Sequence, residues 1–143
     1  LFDGPGELFP QVGLRLRVLM PGQPNGLYHH EANQEDFLVL AGECLLLVEG
    51  EERPLRAWDF VHCPGGTDHI FMGAGDGPCV LFMVGSREGW PEGEGLVYPR
   101  SELALRHEAG VEVETADANE AYAGLREWRP GPPEVAGLPW TEG

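Results

Sequence analysis

Short apolar runs separated by glycine and proline constrain the fold of this chain more than any other feature of its sequence. The 143 residues include 21 glycines and 13 prolines, which recur at short intervals between apolar stretches. Such stretches have the length of β-strands, and the residues between them favour turns. About eight of them precede residue 98, which suits a jelly-roll barrel. The sequence therefore predicts an all-β fold built on one barrel domain.

The first clear strand pattern covers residues 14–20. Its alternate positions are apolar, and two arginines, Arg15 and Arg17, stand between them. The apolar residues are Leu14, Leu16, Val18 and Met20. Because successive side chains of a strand point to opposite faces, we expect the apolar set to face the core and the arginines to face solvent. The alternative is that the arginines face the interior, where they would hold an anionic ligand.

The most apolar segment, residues 36–48, is divided by Gly42, where we expect the strand to bend or bulge. Counting by twos from Glu35 places Phe37 and Val39 on the same face as that carboxylate. Trp58 precedes another strand, and we expect it to lie in the core.

The composition changes after Gly85, and two short helices are predicted beyond it. Ser101 is suited to cap the first helix, which Gly110 ends, and Asp117 with Glu120 has the spacing of a capping box. We therefore divide the chain into a β-barrel over residues 1–98 and a helical and irregular C-terminal extension over residues 99–143. This extension is expected to pack on the barrel or on a partner subunit.

Acidic residues outnumber basic ones by 24 to 9, which gives a net charge of -15. Such a surface repels phosphate groups, so we expect neither nucleic acid nor a membrane as a partner. The sequence shows no signal peptide and no apolar stretch long enough to span a bilayer. Its three cysteines lack C-x-x-C spacing and are expected to be small core residues in a reducing compartment. These features predict a cytoplasmic protein.

Nitrogen and carboxylate donors are concentrated in one short window. His29, His30, Glu31 and Glu35 lie within seven residues, directly before an apolar run. Downstream, a Pro-Gly-Gly turn delivers His69 onto the start of another strand. Because imidazole and carboxylate groups are common ligands of divalent metals, the two segments predict a metal site at the edge of a sheet.

Together the two segments resemble the paired motifs of the cupin superfamily. Glu35 and Gly42 match the second half of its first motif, with six residues between them. The second motif is matched by Pro64, Gly66 and His69. The chain departs from it at both ends, since Trp58 stands where the motif opens with glycine and Gly73 stands where it closes with asparagine.

The first half of the first motif can be aligned in two registers. One places Tyr28 and His30 at the two histidine positions, and the other places His29 and Glu31 there. Alternate residues of a strand face opposite ways, so both pairs cannot enter one cavity. We favour the second register, because a phenol must lose a proton with a pKa near ~10 before it binds metal well. The predicted ligand set is His29, Glu31, Glu35 and His69.

The resemblance implies a single cupin unit that binds a divalent transition metal: Zn, Fe, Mn, Ni or Co, which the ligand types do not distinguish. It also implies a function, either a metal-dependent enzyme of the dioxygenase or isomerase type acting on an unidentified small organic substrate, or a non-catalytic module that binds or senses a small ligand. A homodimer is the expected assembly, because small cupins commonly pair.

Overall fold

The described residues of the computed structural model, 9–88 and 95–125, form seven β-strands and two short helices. The strands are β1 (Val12–Leu19), β2 (Glu35–Ala41), β3 (Glu43–Val48), β4 (Glu51–Arg56), β5 (Phe60–Cys63), β6 (His69–Ala74) and β7 (Cys79–Ser86). The helices are α1 (Glu102–Arg106) and α2 (Ala118–Ala121), and neither is long and apolar enough to cross a membrane. Residues 1–8 and 89–94 of the predicted barrel, and residues 126–143 of the predicted C-terminal extension, lie outside the described residues.

The strands form two antiparallel sheets, with strand orders β1-β7-β2-β5 and β4-β3-β6. Their inner faces enclose one apolar core, to which the first sheet contributes Phe37 and Leu81 and the second contributes Leu46 and Phe71. The all-β, jelly-roll prediction is confirmed. Among the described strands the edges of the two sheets do not pair with each other, so the jelly roll is a sandwich and not a closed barrel.

Gly42 is the point at which the chain crosses from one sheet to the other. It separates β2 from β3, and its φ of +75° lies in the left-handed region that favours glycine. A Cβ atom at this position would collide with the carbonyl oxygen of Pro78. The pairing of β2 with β7 also shifts between Val39 and Ala41. The predicted bend at Gly42 is therefore confirmed.

The orientation predicted for β1 is wrong. Arg15 and Arg17 pair directly with Met83 and Leu81 of β7, which belong to the buried core, and Leu19 lies on the same face with 2% exposure. Directly opposed residues of an antiparallel pair share a face, so the arginines face the interior. The predicted core residues of this strand lie on the outer face: Leu14, Leu16, Val18 and Met20.

The C-terminal segment is joined to the residues before β2 by backbone hydrogen bonds, including one from the Tyr28 amide to the Ala109 carbonyl at 2.7 Å. Val97 pairs with His30, and Tyr98 pairs with Thr115. Helix α1 is capped by the Ser101 hydroxyl, which accepts a hydrogen bond from the amide of Ala104 at 3.3 Å. Helix α2 is capped by Asp117, but Glu120 does not complete the capping box and instead accepts a hydrogen bond from the Thr115 hydroxyl. The extension is thus held against the sandwich by main-chain contacts.

Trp58 does not lie in the core, contrary to the sequence-based prediction. Its side chain is 76% exposed, and its φ of +75° places it in the left-handed region. The residue forms part of the turn between β4 and β5, where its amide donates a hydrogen bond to the carbonyl of Val39. A turn with this φ favours glycine, which accounts for the glycine that opens the second cupin motif.

We expect Trp58→Gly to be about 1 kcal/mol more stable than Trp58→Ala, because both variants lose the indole and only the glycine relieves the left-handed strain. Chemical denaturation of both variants measures the difference. The same pair of substitutions at Phe60, an exposed residue in the extended strand β5, serves as the control. There alanine should be the more stable, and the same sign at both positions would contradict the strain at Trp58.

Candidate metal site

Two histidines are held together by the backbone. His29 and His69 form an isolated antiparallel bridge in which the His69 amide donates to the His29 carbonyl at 2.8 Å and the reverse bond is 3.2 Å. Side chains at such a pair lie on the same face, and the two rings are 5.1 Å apart between centroids. Main-chain pairing therefore determines the separation of these imidazoles.

Each imidazole is also oriented by a carbonyl group. Nδ1 of His29 lies 2.7 Å from the Leu27 oxygen, and Nδ1 of His69 lies 2.9 Å from the Thr67 oxygen. A carbonyl only accepts hydrogen bonds, so each Nδ1 carries its proton. In the neutral rings the lone pair is then on Nε2, the tautomer in which histidine binds a metal through that atom.

Glu35 completes the group from the first residue of β2. Its Oε2 lies 3.2 Å from Nε2 of His69 and 3.8 Å from Nε2 of His29. One ligand atom from each of the three residues falls within 4.8 Å of the other two. The three predicted donors from separate segments thus converge on one point.

Oε2 of Glu35 is buried and has no hydrogen-bond donor when both imidazoles are neutral. A buried carboxylate oxygen facing two lone pairs requires a positive charge between them, which is either a proton or a metal ion. The proton's natural place is His69. Burial disfavours its charged form, but the hydrogen bond and charge of Glu35 outweigh burial and raise the pKa of His69.

The pKa values of the other two residues agree with this charge pattern. Burial favours the neutral acid of Glu35, but the hydrogen bond and charge of His69 prevail and lower its pKa. Burial and the nearby charge of His69 lower the pKa of His29. The three groups therefore favour an ionised carboxyl at Glu35 and a neutral imidazole at His29.

Glu31 lies at the edge of this group and not within it. Its Oε1 is 3.9 Å from Nε2 of His29, and its side chain is 38% exposed. Burial of the rest of its side chain and, as the smaller cause, repulsion from Glu35 raise the pKa of Glu31 to about 7. Of the predicted ligand set, the structure brings three residues together and places Glu31 beside them.

The residues of the alternative register face elsewhere. The hydroxyl of Tyr28 accepts a hydrogen bond from the amide of Gly50, and its ring packs in a second apolar cluster with Leu47 and Ile70. His30 is 2.6 Å from Oδ1 of Asp68. The geometry therefore groups His29, not His30, with Glu35 and His69.

His62 and Cys63 lie on β5, next to β2, and do not belong to the donor group. His62 lies on β5 with 50% of its side chain exposed, and its Nδ1 is 2.6 Å from Oδ1 of Asp36, on the face opposite to Glu35. Cys63 pairs directly with Glu35, but burial raises the pKa of its thiol to about 12. Neither residue contributes a donor to the group.

Aromatic residues line the site on two sides. The ring centroids of Phe37, predicted to share the face of Glu35, and of Phe71 lie 5.2 Å and 6.1 Å from that of His69. Tyr98 lies 5.8 Å from the His29 ring, and Tyr122 lies 5.8 Å from Tyr98. The two tyrosines were not predicted from the sequence, because no local pattern links them to the histidine window. The backbone bridge between Val97 and His30 brings the C-terminal segment that carries them close to the site.

Raising the pH from 5 to 8 should destabilise the metal-free protein through Glu31. Its carboxyl ionises near 4.5 in the unfolded chain and near 7 in the folded one, so the unfolded state loses its proton first and stability falls as pH rises between those values. At pH 8 we expect the free energy of unfolding of Glu31→Gln to exceed that of the wild type by on the order of 1 kcal/mol. Solvent screening of the partly exposed side chain keeps this difference below what the full pKa shift would give.

Urea denaturation of chelator-treated protein at both pH values measures this gain. Glu112→Gln, at an exposed acid of the C-terminal segment, is the matched control and should show no such pH dependence. A gain for Glu31→Gln that is equal at pH 5 and pH 8 would contradict the assignment.

Comparisons with known proteins agree with this geometry. A family model described as a cupin domain matches residues 15–85, which include all three converging donors. No match is found among curated proteins.

Many solved structures resemble the chain. A sugar phosphate isomerase from a cupin superfamily, from Silicibacter pomeroyi DSS-3, is 31% identical with a TM-score of 0.50, over 54% of this chain and 51% of that one. The chain thus spans about half the length of that protein. A Cupin 2 conserved barrel domain protein from Salinispora arenicola CNS-205 is 26% identical with a TM-score of 0.51, over 59% of this chain and 70% of that one.

Proposed function

Because the chain is a small cupin-superfamily domain protein, we propose that it is a divalent-metal-dependent enzyme acting on a small organic substrate. The proposed ligands are His29, Glu35 and His69, and Glu31 lies at the edge of this group with its carboxyl unligated. The observation that carries this proposal is the convergence of Oε2 of Glu35 with Nε2 of His29 and Nε2 of His69, at 3.8 Å and 3.2 Å.

The ligand chemistry suits Zn, Fe, Mn, Ni or Co, since mixed imidazole and carboxylate donors bind all of these. When bound, such an ion supplies Lewis acidity, which polarises a substrate oxygen. Three protein ligands leave coordination positions open, as catalytic sites require and closed structural sites do not. The carbonyls of Leu27 and Thr67 hold the two imidazoles in the metal-binding tautomer, and Phe37 and Phe71 keep water from the inner side.

An isomerase-type reaction has the most support among the reactions of this class. The Silicibacter pomeroyi protein, which is similar to this chain at 31% identity, carries that activity in its name. A general acid or base suits such chemistry, and Glu31 is placed for that role beside the open side of the ligand group. Its exposed fraction of 38% leaves it accessible to a substrate.

Metal analysis of protein purified without added metal tests the site. We expect a retained divalent ion in the wild type and affinity lowered more than about 100-fold in Glu35→Gln and His69→Ala, since even groups that only orient ligands contribute roughly 10–100-fold. His62→Ala is the matched control, because His62 pairs with an aspartate on the outer face of the same sheet. Equal metal content in all four proteins would overturn the proposal.

Water proton relaxation of the Mn(II)-loaded protein separates the enzyme from the non-catalytic alternative. An open coordination position exchanges water rapidly and enhances relaxation, whereas a site filled by protein ligands does not. A strong enhancement that a substrate-like anion reduces is expected. Its absence in a protein that retains metal would favour the non-catalytic ligand-binding module.

The proposed assembly is a homodimer through the outer face of the four-stranded sheet. An apolar row crosses all four strands on this face, with Leu16, Phe82, Leu38 and Phe60 paired in sequence from edge to edge. Leu16 and Phe60 at its ends are 37% and 64% exposed. A continuous apolar row of this kind supports association with a second copy rather than with water.

Sedimentation at micromolar concentration tests the assembly. We expect a dimer for the wild type and a monomer for Phe60→Glu, because a buried unpaired carboxylate opposes association. Arg53→Glu, a change of similar size on the other sheet, should remain dimeric. A wild-type monomer would contradict the proposed dimer without affecting the metal site.

A cytoplasmic location and the absence of nucleic acid partners complete the proposal. All three cysteines are free and buried, which supports a reducing compartment. The net charge of -15 disfavours polyanionic partners.

A further inference from the structure

Leu27, whose carbonyl orients the His29 imidazole, is held by the C-terminal segment. Its amide donates a hydrogen bond to the Tyr122 hydroxyl at 3.1 Å. The next amide along the chain, that of Tyr28, donates to the carbonyl of Ala109 at 2.7 Å. The peptide groups on both sides of Leu27 are therefore anchored to this segment, and the second of them contains the carbonyl that lies 2.7 Å from Nδ1 of His29.

The side chain of Leu27 is anchored in the same place. It is 4% exposed and packs in a small apolar cluster with Tyr98 and Val111. Tyr98 and Tyr122 meet edge to face, with ring centroids 5.8 Å apart, and the Tyr98 ring lies 5.8 Å from that of His29. Both separations are within the range in which aromatic rings attract each other. The C-terminal segment therefore packs directly against His29 and against the residue that orients it.

The Tyr122 hydroxyl lies closely against the backbone that precedes Leu27. A Cβ atom at Gly26 would come within 2.8 Å of the hydroxyl oxygen. Gly26 does not have a positive φ, so the close approach of the hydroxyl, and not an unusual backbone conformation, requires a glycine here. Although 40% of Tyr122 is exposed, its hydroxyl end is therefore packed against the main chain.

The two imidazoles of the candidate metal site differ in how their orienting carbonyls are held. The carbonyl beside His69 belongs to Thr67, whose amide donates to the Pro64 carbonyl at 3.1 Å within the same turn. These residues lie inside the range matched by the cupin domain model, residues 15–85, whereas Tyr122 and Ala109 lie beyond it. The orientation of His29 therefore depends on a part of this chain that the family model does not include.

We propose that Tyr122 is a positioning residue of the metal site, which holds Leu27 so that the Leu27 carbonyl keeps the His29 imidazole in the metal-binding tautomer. This assignment rests on the proposed function and adds the C-terminal segment to the same site. Tyr122 acts through Leu27 and does not touch the ion or the substrate. Without the hydroxyl, the buried Leu27 amide has no acceptor, and this unfavourable state drives the backbone at Leu27 to shift.

Competition for Zn(II) between the protein and a chromophoric chelator measures the effect of Tyr122→Phe, which keeps the ring and removes the hydroxyl. We expect the zinc affinity to fall about tenfold, because groups that orient metal ligands contribute roughly 10–100-fold. Tyr28→Phe is the matched control, since the Tyr28 hydroxyl also accepts a hydrogen bond from a backbone amide, that of Gly50, at 3.2 Å. Its zinc affinity should equal that of the wild type. Thermal melts verify that both variants are folded.

The ring nitrogens of His29 provide a readout that a loss of stability alone would not change. Long-range proton–nitrogen correlation spectra of the metal-free protein, recorded well above the pKa of the imidazole, distinguish a proton on Nδ1 from one on Nε2. We expect the Nδ1-protonated ring in the wild type and in Tyr28→Phe, and a mixture of both tautomers in Tyr122→Phe. His29→Gln assigns the signals by removing them.

Gly26→Ala displaces the same hydroxyl without removing it, because the new Cβ atom would lie too close to the hydroxyl oxygen. We expect this variant to bind Zn(II) more weakly than the wild type. In the Tyr122→Phe background it should cause no further loss, since both substitutions then act on one contact. Losses that multiply in the double variant would contradict an effect through the hydroxyl.

The outcomes separate this proposal from the proposed function. Either an unchanged His29 tautomer or an unchanged zinc affinity in Tyr122→Phe would overturn the positioning role while leaving the metal site intact. An equal loss of zinc affinity in Tyr28→Phe would also overturn it. If the wild type binds no Zn(II), the proposed function fails, and the tautomer comparison still decides whether Tyr122 positions the ring.

Discussion

Compensation of one buried negative charge is the constraint on which the candidate site depends. The Glu35 carboxylate lies on the inner face of a sheet, near the buried Phe37. An unpaired charge in such a place destabilises the folded state by several kcal/mol, even after the protein relaxes around it. Within the described part of the chain, His29 and His69 bring their Nε2 atoms within 3.8 Å and 3.2 Å of Oε2. Because these two residues pair through their backbones, they cannot separate without breaking main-chain hydrogen bonds. The fold therefore determines the relative positions of these three side chains.

The interior of the sandwich has an apolar layer and, towards one end, a charged region. Phe37, Val39 and Leu81 form an apolar layer between the sheets. Charged groups of both signs lie on the same inner faces towards one end, with Glu35 on β2 and Arg15 on β1. An apolar layer beneath strengthens the electrostatic interactions above it, because less water screens them.

The departures of the chain from the cupin motifs concern side chains and not backbone geometry. Trp58 keeps the left-handed conformation for which glycine is usual at the start of the second motif. Glu31 occupies a histidine position and is displaced to the edge of the donor group, with a raised pKa. Both cases show that the surrounding strands determine the local backbone, while the residue determines how much strain or charge that position carries.

Residue types and spacing were sufficient to predict the all-β class, the bend at Gly42 and the convergence of two histidines with Glu35, because these follow from turn chemistry and from alternation along single strands. Alternation identifies two faces of a strand but not the face that is covered. For β1, the pairing with β7 determines which face is buried. It places Arg15 and Arg17 on the inner face, although the apolar pattern predicted the opposite. The approach of Tyr98 to the site likewise depended on contacts between segments distant in sequence, and only the tertiary structure decides those.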